Sequence, residues 1–319
     1  MRSRCALVWI LSIGSLLAGT LASGQSYPRK SIRIVTSEAG GGTDFAARTV
    51  AQGIAGPLGQ PIIVDNRGSG GNVSGEIVAR ANPDGHTILV TGGSFWVGPL
   101  LRKAPYDPIR DFAPVSMLMI SPYLLAVHPS VAANSVRELI DLAKAKPGAL
   151  NYAATSIGGS PHLAGELFKS MAGVNIVTIP YKGTGPGVIG LIGGQVQMMF
   201  APVAAIMPHV KSGKLRALAV TSAQPTTLAP GLPVISATVP GYESGGPLAM
   251  FAPPKTPLAI IDRLHTEIVK LLGDPEVKAR LFSVGMDAVA SSPQQLASTV
   301  KSEMSRLDKI FKDAGIKAE

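Results

Sequence analysis

The chain has 319 residues, enough for two domains at roughly 100–200 residues each. Its formal charge is +9, but the lysines and arginines are scattered singly and the few aromatic residues do not interleave with them. That excludes the basic, aromatic-studded surface of a nucleic-acid binder and suits small anions instead.

The first element is a leader. Arg2 and Arg4 precede the apolar run CALVWILSIGSLLAG, and Ala22-Ser23-Gly24 offer a small-residue cleavage site, the pattern of a secretory signal peptide over residues 1–24. The run is short for a retained span of roughly 20 residues. Cleavage leaves a charge of +7 and removes Cys5, the one cysteine. The processed chain then has no thiol nucleophile, cysteine metal site or disulfide.

Strand-like and helix-like segments alternate from there. SIRIVTS, PIIVDNR and HTILVTG read as strands, separated by the helical patterns FAARTVAQGIAGPL and VSGEIVARAN. FAPVSMLM and YLLAVHP follow. The alternation then resumes with a helix at NSVRELIDLAKAK, a strand at LNYAATS, a helix at HLAGELFKSMAG and a strand at NIVTIPY, and continues through PGVIGLIGG, VQMMFAP, AIMPHVKSGK and LRALAVTS. Such a rhythm implies parallel pairing with crossover helices. From Ala223 to Gly246 the pattern gives way to a Pro-, Gly-, Ser- and Thr-rich connection. Three helices close the chain, with Thr256, Asp274 and Ser292 placed to cap them and Pro257, Pro275 and Pro293 next in line.

The sequence also repeats itself. IRIVTSEAGGGTDFAARTVAQGIAG and LNYAATSIGGSPHLAGELFKSMAG each give a strand ending in Thr-Ser, a glycine turn, a helix and a closing Ala-Gly. Each is followed by a further strand and a second glycine turn, RGSGGNVSG or YKGTGPGV. Two similar α/β lobes explain this more simply than a solenoid, whose period would be shorter.

A helix N-terminus leaves up to four N–H groups unpaired and carries about half a positive charge. Glycines ahead of it let a ligand approach the backbone, so each turn is a seat for an anion. The spacing excludes nucleotides: the one Gly-Lys pair, Gly213-Lys214, continues with Leu215, and GSGGNVSG and GTGPGV both miss the dinucleotide fingerprint. Asp44 has two readings, a helix-start cap with Thr43 or an acceptor for a ligand hydroxyl, ammonium or water; Glu38 raises the same question. Tyr181 and Lys182 read either as a strand-end ring with a solvated amine or as a phenol and a cation at a cleft mouth. Catalysis finds no G-x-S-x-G elbow. His162 and Glu166 form a local i,i+4 pair, and the five histidines are too dispersed for a metal. No cofactor is expected.

Over nearly its whole processed length the chain resembles the extracytoplasmic solute-binding receptors of tripartite tricarboxylate transporters, the Bug family. The likeness is carried, in order, by YPRKSIRIVTSEAGGGTDFAAR, VDNRGSGGNVSGEIVARANPDGHTILV, YDPIRDFAPVSML, LNYAATSIGGSPHLAGELF, IPYKGTGPGVIGLIGGQVQMMF and KSGKLRALAVTS. It implies a type II-like, two-lobed "Venus flytrap" α/β fold, each lobe a mostly parallel sheet flanked by helices. Lobe I would comprise 25–123 and 225–319, and lobe II 124–224.

The resemblance further implies a non-enzymatic periplasmic protein that holds a small carboxylate between its lobes and docks on two integral membrane subunits. Carried onto this chain, the ligand contacts are Gly41, Gly42, Thr43 and Asp44 in the first turn and Ser156, Gly158, Gly159 and Ser160 in the matching one. Thr91, Gly92, Ser94, Tyr181, Lys182 and Gly183 add side contacts. The chain departs from the family pattern at Glu38-Ala39, where an apolar-Pro pair is usual. It departs again at Gln197, a common Asp, and at Ala201, where an acid usually enters the cleft; these changes suggest a ligand other than an amino-acid dicarboxylate. Two alternatives remain, a receptor read by a sensor kinase and an enzyme acting on a small anion.

Overall fold

The computed structural model describes residues 27–37, 39–67, 72–154 and 160–313. Residues 1–26, Glu38, residues 68–71, residues 155–159 with Ser156, Gly158 and Gly159, and residues 314–319 lie outside the described residues.

Two sheets organise the molecule. The first contains β1 (Ile32–Thr36), β2 (Ile62–Asn66), β3 (Thr87–Gly92), β4 (Ala113–Ser121), β10 (Gly246–Ala252) and β11 (Asp287–Ala288), in the order β11-β4-β10-β3-β1-β2. The second contains β5 (Tyr123–Val127), β6 (Asn151–Ala154), β7 (Val177–Pro180), β8 (Met198–Pro202) and β9 (Arg216–Val220), in the order β7-β6-β8-β5-β9. Both are mixed. β2, β1 and β3 pair in parallel, as do β7, β6 and β8, whereas β10 and β5 run antiparallel to both of their neighbours. The two sheets thus share one topology, with a reversed strand in the same place. The reason is the crossing of the chain between lobes: β4 passes through Pro122 straight into β5, and the return enters the first sheet as β10.

The helices are α1 (Gly42–Leu58), α2 (Asn72–Ala79), α3 (Ser94–Val97), α4 (Val136–Ala145), α5 (Ser160–Ala172), α6 (Thr184–Ile192), α7 (Val203–Lys211), α8 (Leu258–Gly273), α9 (Pro275–Ser283) and α10 (Pro293–Asp313). On one face of the first sheet Ile32, Ile34, Ile88 and Val90 pack against Val50 and Ile54 of α1 and Leu264 and Ile268 of α8. On its other face Val35, Leu89 and Phe251 join Trp96 and the α10 residues Leu296, Val300, Leu307 and Phe311. That cluster continues without a break into Leu125, Tyr152, Phe168 and Phe200 of the second lobe. A third cluster fills the outer face of the second sheet.

Several expectations change. β10, all but its first residue buried, is a central strand in a stretch where the sequence pattern suggests none. Thr256 does not cap α8: its hydroxyl turns back to the Pro253 carbonyl, and Pro257 occupies the N-cap. Asp274 does cap α9, accepting from Glu276 and Val277, and Ser292 forms a reciprocal capping box with Gln295. Residues 225–243 reach the first sheet, where Thr226 Oγ1 donates to Asp287 of β11, and also the second. Leu228 and Ala229 lie in its outer cluster, and the Tyr242 hydroxyl donates to the Ala164 carbonyl while its ring packs on Phe168 and Phe200. Leaving these apolar side chains beside a strand exit at Val220 favours burial there before the chain recrosses.

Candidate functional site

The site is built at the carboxyl ends of the parallel strands, where ligands enter open α/β sheets. After β1 the chain turns through Gly40, which has φ +79°, a conformation that side-chain-bearing residues rarely adopt. Gly41 is the N-cap of α1 and brings no side chain to cap with, and Gly40, Gly41 and Gly42 are all exposed. The first-turn amides of α1 are therefore open to an outside acceptor.

Asp44 is not part of that open surface. It is buried, and its carboxylate is engaged within the chain: Oδ2 accepts from the Gly40 N–H at 2.9 Å and from Arg48 Nε at 3.1 Å, and Oδ1 accepts from Asn66 Nδ2 at 3.0 Å. The same Asn66 amide donates to the Ser37 carbonyl, and Arg48 Nη2 donates to Asn66 Oδ1. Burial pushes the carboxyl pKa up, but the hydrogen bonds from Arg48, Gly40 and Asn66 outweigh it and hold the group at about 2. Asp44 thus fits neither sequence reading closely. It ties the end of β1, the glycine turn, α1 and β2 together, and Asn66 and Arg48, absent from the sequence reading, are its partners. The i,i+4 spacing of Asp44 and Arg48 was the one signal pointing there.

Thr43 links this turn to the next. Its Oγ1 shares a 2.5 Å hydrogen bond with Ser37 Oγ, and its Cγ2 lies 3.7 Å from where a Cβ on Gly92 would stand. Thr91 is buried in β3 opposite Ala249, Gly92 faces Leu248, and Ser94 begins α3. Leu248 and Met286 come within 4 Å of a Cβ position on Gly42, so apolar side chains flank the first turn.

The two lobes meet beside these turns. Gly93 and Val97 of the first lobe and Ser160 and Leu163 of the second line one gap of ≈ 20 Å³, closed on another side by Gly245 and Pro247. That is room for about one water. Ser160, the first residue of α5, also lies within hydrogen-bonding reach of the buried Tyr123 phenol, whose pKa burial pushes up to about 12 despite that contact. Thr43 thus stands beside Gly92, and Gly93, between Gly92 and Ser94 in the chain, lines the same gap as Ser160 across the lobe boundary.

The remaining residues named from the sequence have these surroundings. Ala201 is wholly buried and turned into the outer cluster of the second lobe with Leu124 and Val203, because alternation along β8 gives Met198 and Phe200 the opposite face. Tyr181 lies back over α6, where its hydroxyl would collide with any Cβ on Gly190 and meets Gln195 Oε1 at 3.3 Å. Lys182 is exposed, and Gly183, with φ +108°, is the N-cap of α6. His162 stands 3.8 Å from Glu166, whose carboxylate is principally bound by Lys169, Tyr152 and Thr178. Among the described residues no cluster of acids and histidines is arranged for a metal, and no helix is long and apolar enough to cross a membrane.

The profile of the tripartite tricarboxylate transporter family receptor matches residues 46–316. The chain belongs to this receptor family. Its relatives include the protein BugT of Bordetella pertussis, 34% identical over 98% of each chain. Among solved structures, an R. palustris protein crystallised with adipate superposes with a TM-score of 0.79 at 34% identity, covering 92% of this chain and 100% of the other. MatC of Rhodopseudomonas palustris with bound malate gives 0.75 at 28% identity, covering 89% and 99%. Family members are periplasmic solute-binding receptors, not enzymes, and the two-lobed α/β architecture of this receptor is theirs.

Proposed function

We propose that this receptor captures a small organic acid between its lobes and delivers it to the membrane subunits of a tripartite carboxylate transporter. One carboxylate would accept from the open amides of Gly41, Gly42 and Thr43, with Gly92 and Ser94 beside it. Ser160 and the adjoining turn of Ser156, Gly158 and Gly159 would close on it from the other lobe. The observation that carries this reading is the exposed, side-chain-free start of α1, held in place by Asp44 and standing beside the lobe contact at Gly93 and Ser160. The adipate and malate bound by its relatives are acids of the proposed size.

Lobe I then comprises the sheet of β1–β4, β10 and β11, and lobe II runs from Tyr123 to about residue 243, with the leader removed on export. Binding stabilises the closed form only by the difference in the ligand's affinity for the two states. Apolar Leu248 and Met286 beside the first turn favour an acid with an aliphatic body over one carrying a charge at every carbon. The test is a thermal-shift screen of mono-, di- and tricarboxylates that includes adipate and malate. At a hundredfold excess over Kd a true ligand adds about 2.7 kcal/mol of stability. A folded protein stabilised by none of these acids ends the proposal.

A further inference from the structure

The longest helix does more than cover a sheet. Three residues of α10 on one helical face, Glu303, Arg306 and Leu307, touch three different parts of the receptor. Glu303 Oε2 accepts from the indole Nε1–H of Trp96 at 2.8 Å. Trp96 is fully buried in α3, two residues beyond Ser94, and its backbone N–H donates to the Gly93 carbonyl at 3.2 Å. Arg306 donates through Nη2 to the carbonyl of Glu243 at 3.2 Å and through Nη1 to that of Gly241 at 3.5 Å, on the segment leading back to the first lobe. Leu307 packs with Leu163 and Leu167 of α5, the helix that Ser160 opens in the second lobe. A cavity of ≈ 550 Å³ lies beside this turn of α10, bordered by Glu303, Arg306, Ser244 and Pro247, which leaves the helix free space on its hinge side.

We propose that Glu303 is a positioning residue which, through Trp96, fixes the Gly93–Ser94 turn, so that α10 braces both lobes at the hinge and sets how far apart they stand. The ligand turn, the hinge carbonyls and α5 all hang from one helical turn, so a displacement at any of them is passed to the others through rigid contacts. The consequence for capture rests on the carboxylate reading above; the brace itself does not.

The test measures the lobes without a ligand. The chain's one cysteine, Cys5, is in the leader, so spin labels go on Ile63→Cys and Ile189→Cys, exposed positions in opposite lobes, with Cys5→Ser wherever the leader is retained. In the empty receptor Glu303→Ala is expected to broaden the inter-label distance distribution and displace its maximum, and Glu303→Gln, which still offers an oxygen to the indole, to restore it. Trp96→Phe removes the donor and part of the ring volume while keeping an aromatic ring, and serves as the second variant if Glu303→Ala does not fold. With adipate as probe, Glu303→Ala and Trp96→Phe should bind about threefold or more weakly, and Glu303→Gln within about twofold of the wild type. Distance distributions that overlay the wild type in both Glu303→Ala and Trp96→Phe overturn the proposal. If adipate and the rest of the carboxylate screen bind to none of the proteins, the ligand reading falls, and the label distances still judge the brace.

Discussion

The two βαβ units of the repeat use one device at two heights. In the first, Asp44 is the third residue of α1; it binds Arg48 four residues on and reaches Asn66 at the end of the neighbouring strand β2. In the second, Glu166 is the seventh residue of α5; it binds Lys169 three residues on and reaches Thr178 of the corresponding neighbour, β7, as well as Tyr152 of β6. Both acids staple a helix to the strand pair beneath it. The first acid also grips its glycine turn, through the Gly40 N–H. One scaffold thus appears twice with its acid shifted by about one helical turn, which sets the first acid against the backbone of Gly40.

The sharpest test of that contrast is Asp44→Ala against Glu166→Ala. Losing Asp44 leaves a guanidinium, an amide and a turn N–H without their acceptor, each bond to a charged group being worth about 1.5–3 kcal/mol. Carboxylate affinity, measured by calorimetry, is expected to fall by about tenfold or more along with the melting temperature. Glu166→Ala is expected to cost comparable stability while affinity changes by less than about threefold. Equal losses of affinity in both variants would erase the distinction.

A packing variant comes next. The ring of Tyr152 lies 2.4 Å from a Cβ position on Gly165, so Gly165→Ala forces that ring off Glu166 and is expected to destabilise the protein by about 1–3 kcal/mol in urea unfolding. A wild-type urea midpoint would show that the Glu166 staple tolerates rearrangement.

Acid titration separates the first unit by sign. The Asp44 carboxyl sits at about 2 in the folded state against an ordinary 3.8, so its contribution is complete above pH ~4 and is lost as pH falls toward 2. The stability of Asp44→Asn should therefore vary less with pH than that of the wild type between those limits. Parallel curves would mean that the carboxylate is not held as described. The smallest effect is expected from Tyr181→Phe, which loses one long hydrogen bond away from the proposed ligand; stability should stay within about 0.5 kcal/mol and affinity within about twofold. A large loss of affinity would return Tyr181 to the site.

What the sequence revealed follows the range of the interactions involved. The repeat, the strand-turn-helix units and the glycine turn that opens α1 at Gly41 are local patterns, and they were legible. β10 was not, because GPLAMFA is buried on both faces and has no alternation to distinguish it from an apolar linker. Nor was the direction of Ala201, which depends on which pleat of β8 meets which layer. The partnership of Asp44 with Asn66 spans 22 positions, and that of Trp96 with Glu303 spans 207, distances over which spacing carries no information. Thr256 looked like a cap because a hydroxyl before Pro usually is one; the competing carbonyl of Pro253 exists only in the folded turn.

Gly285 is buried beside the crossing between the lobes, where its carbonyl accepts from Ser121 Oγ; its φ is +75°, and a methyl group added there would come within 2.8 Å of the Ala204 side chain and 3.1 Å of its backbone nitrogen, at the start of α7 in the second lobe. That glycine is where a doorstop would go. On the capture proposal, a larger residue at this one position would wedge the jaws ajar without touching the bait platform, giving a trap that seldom springs.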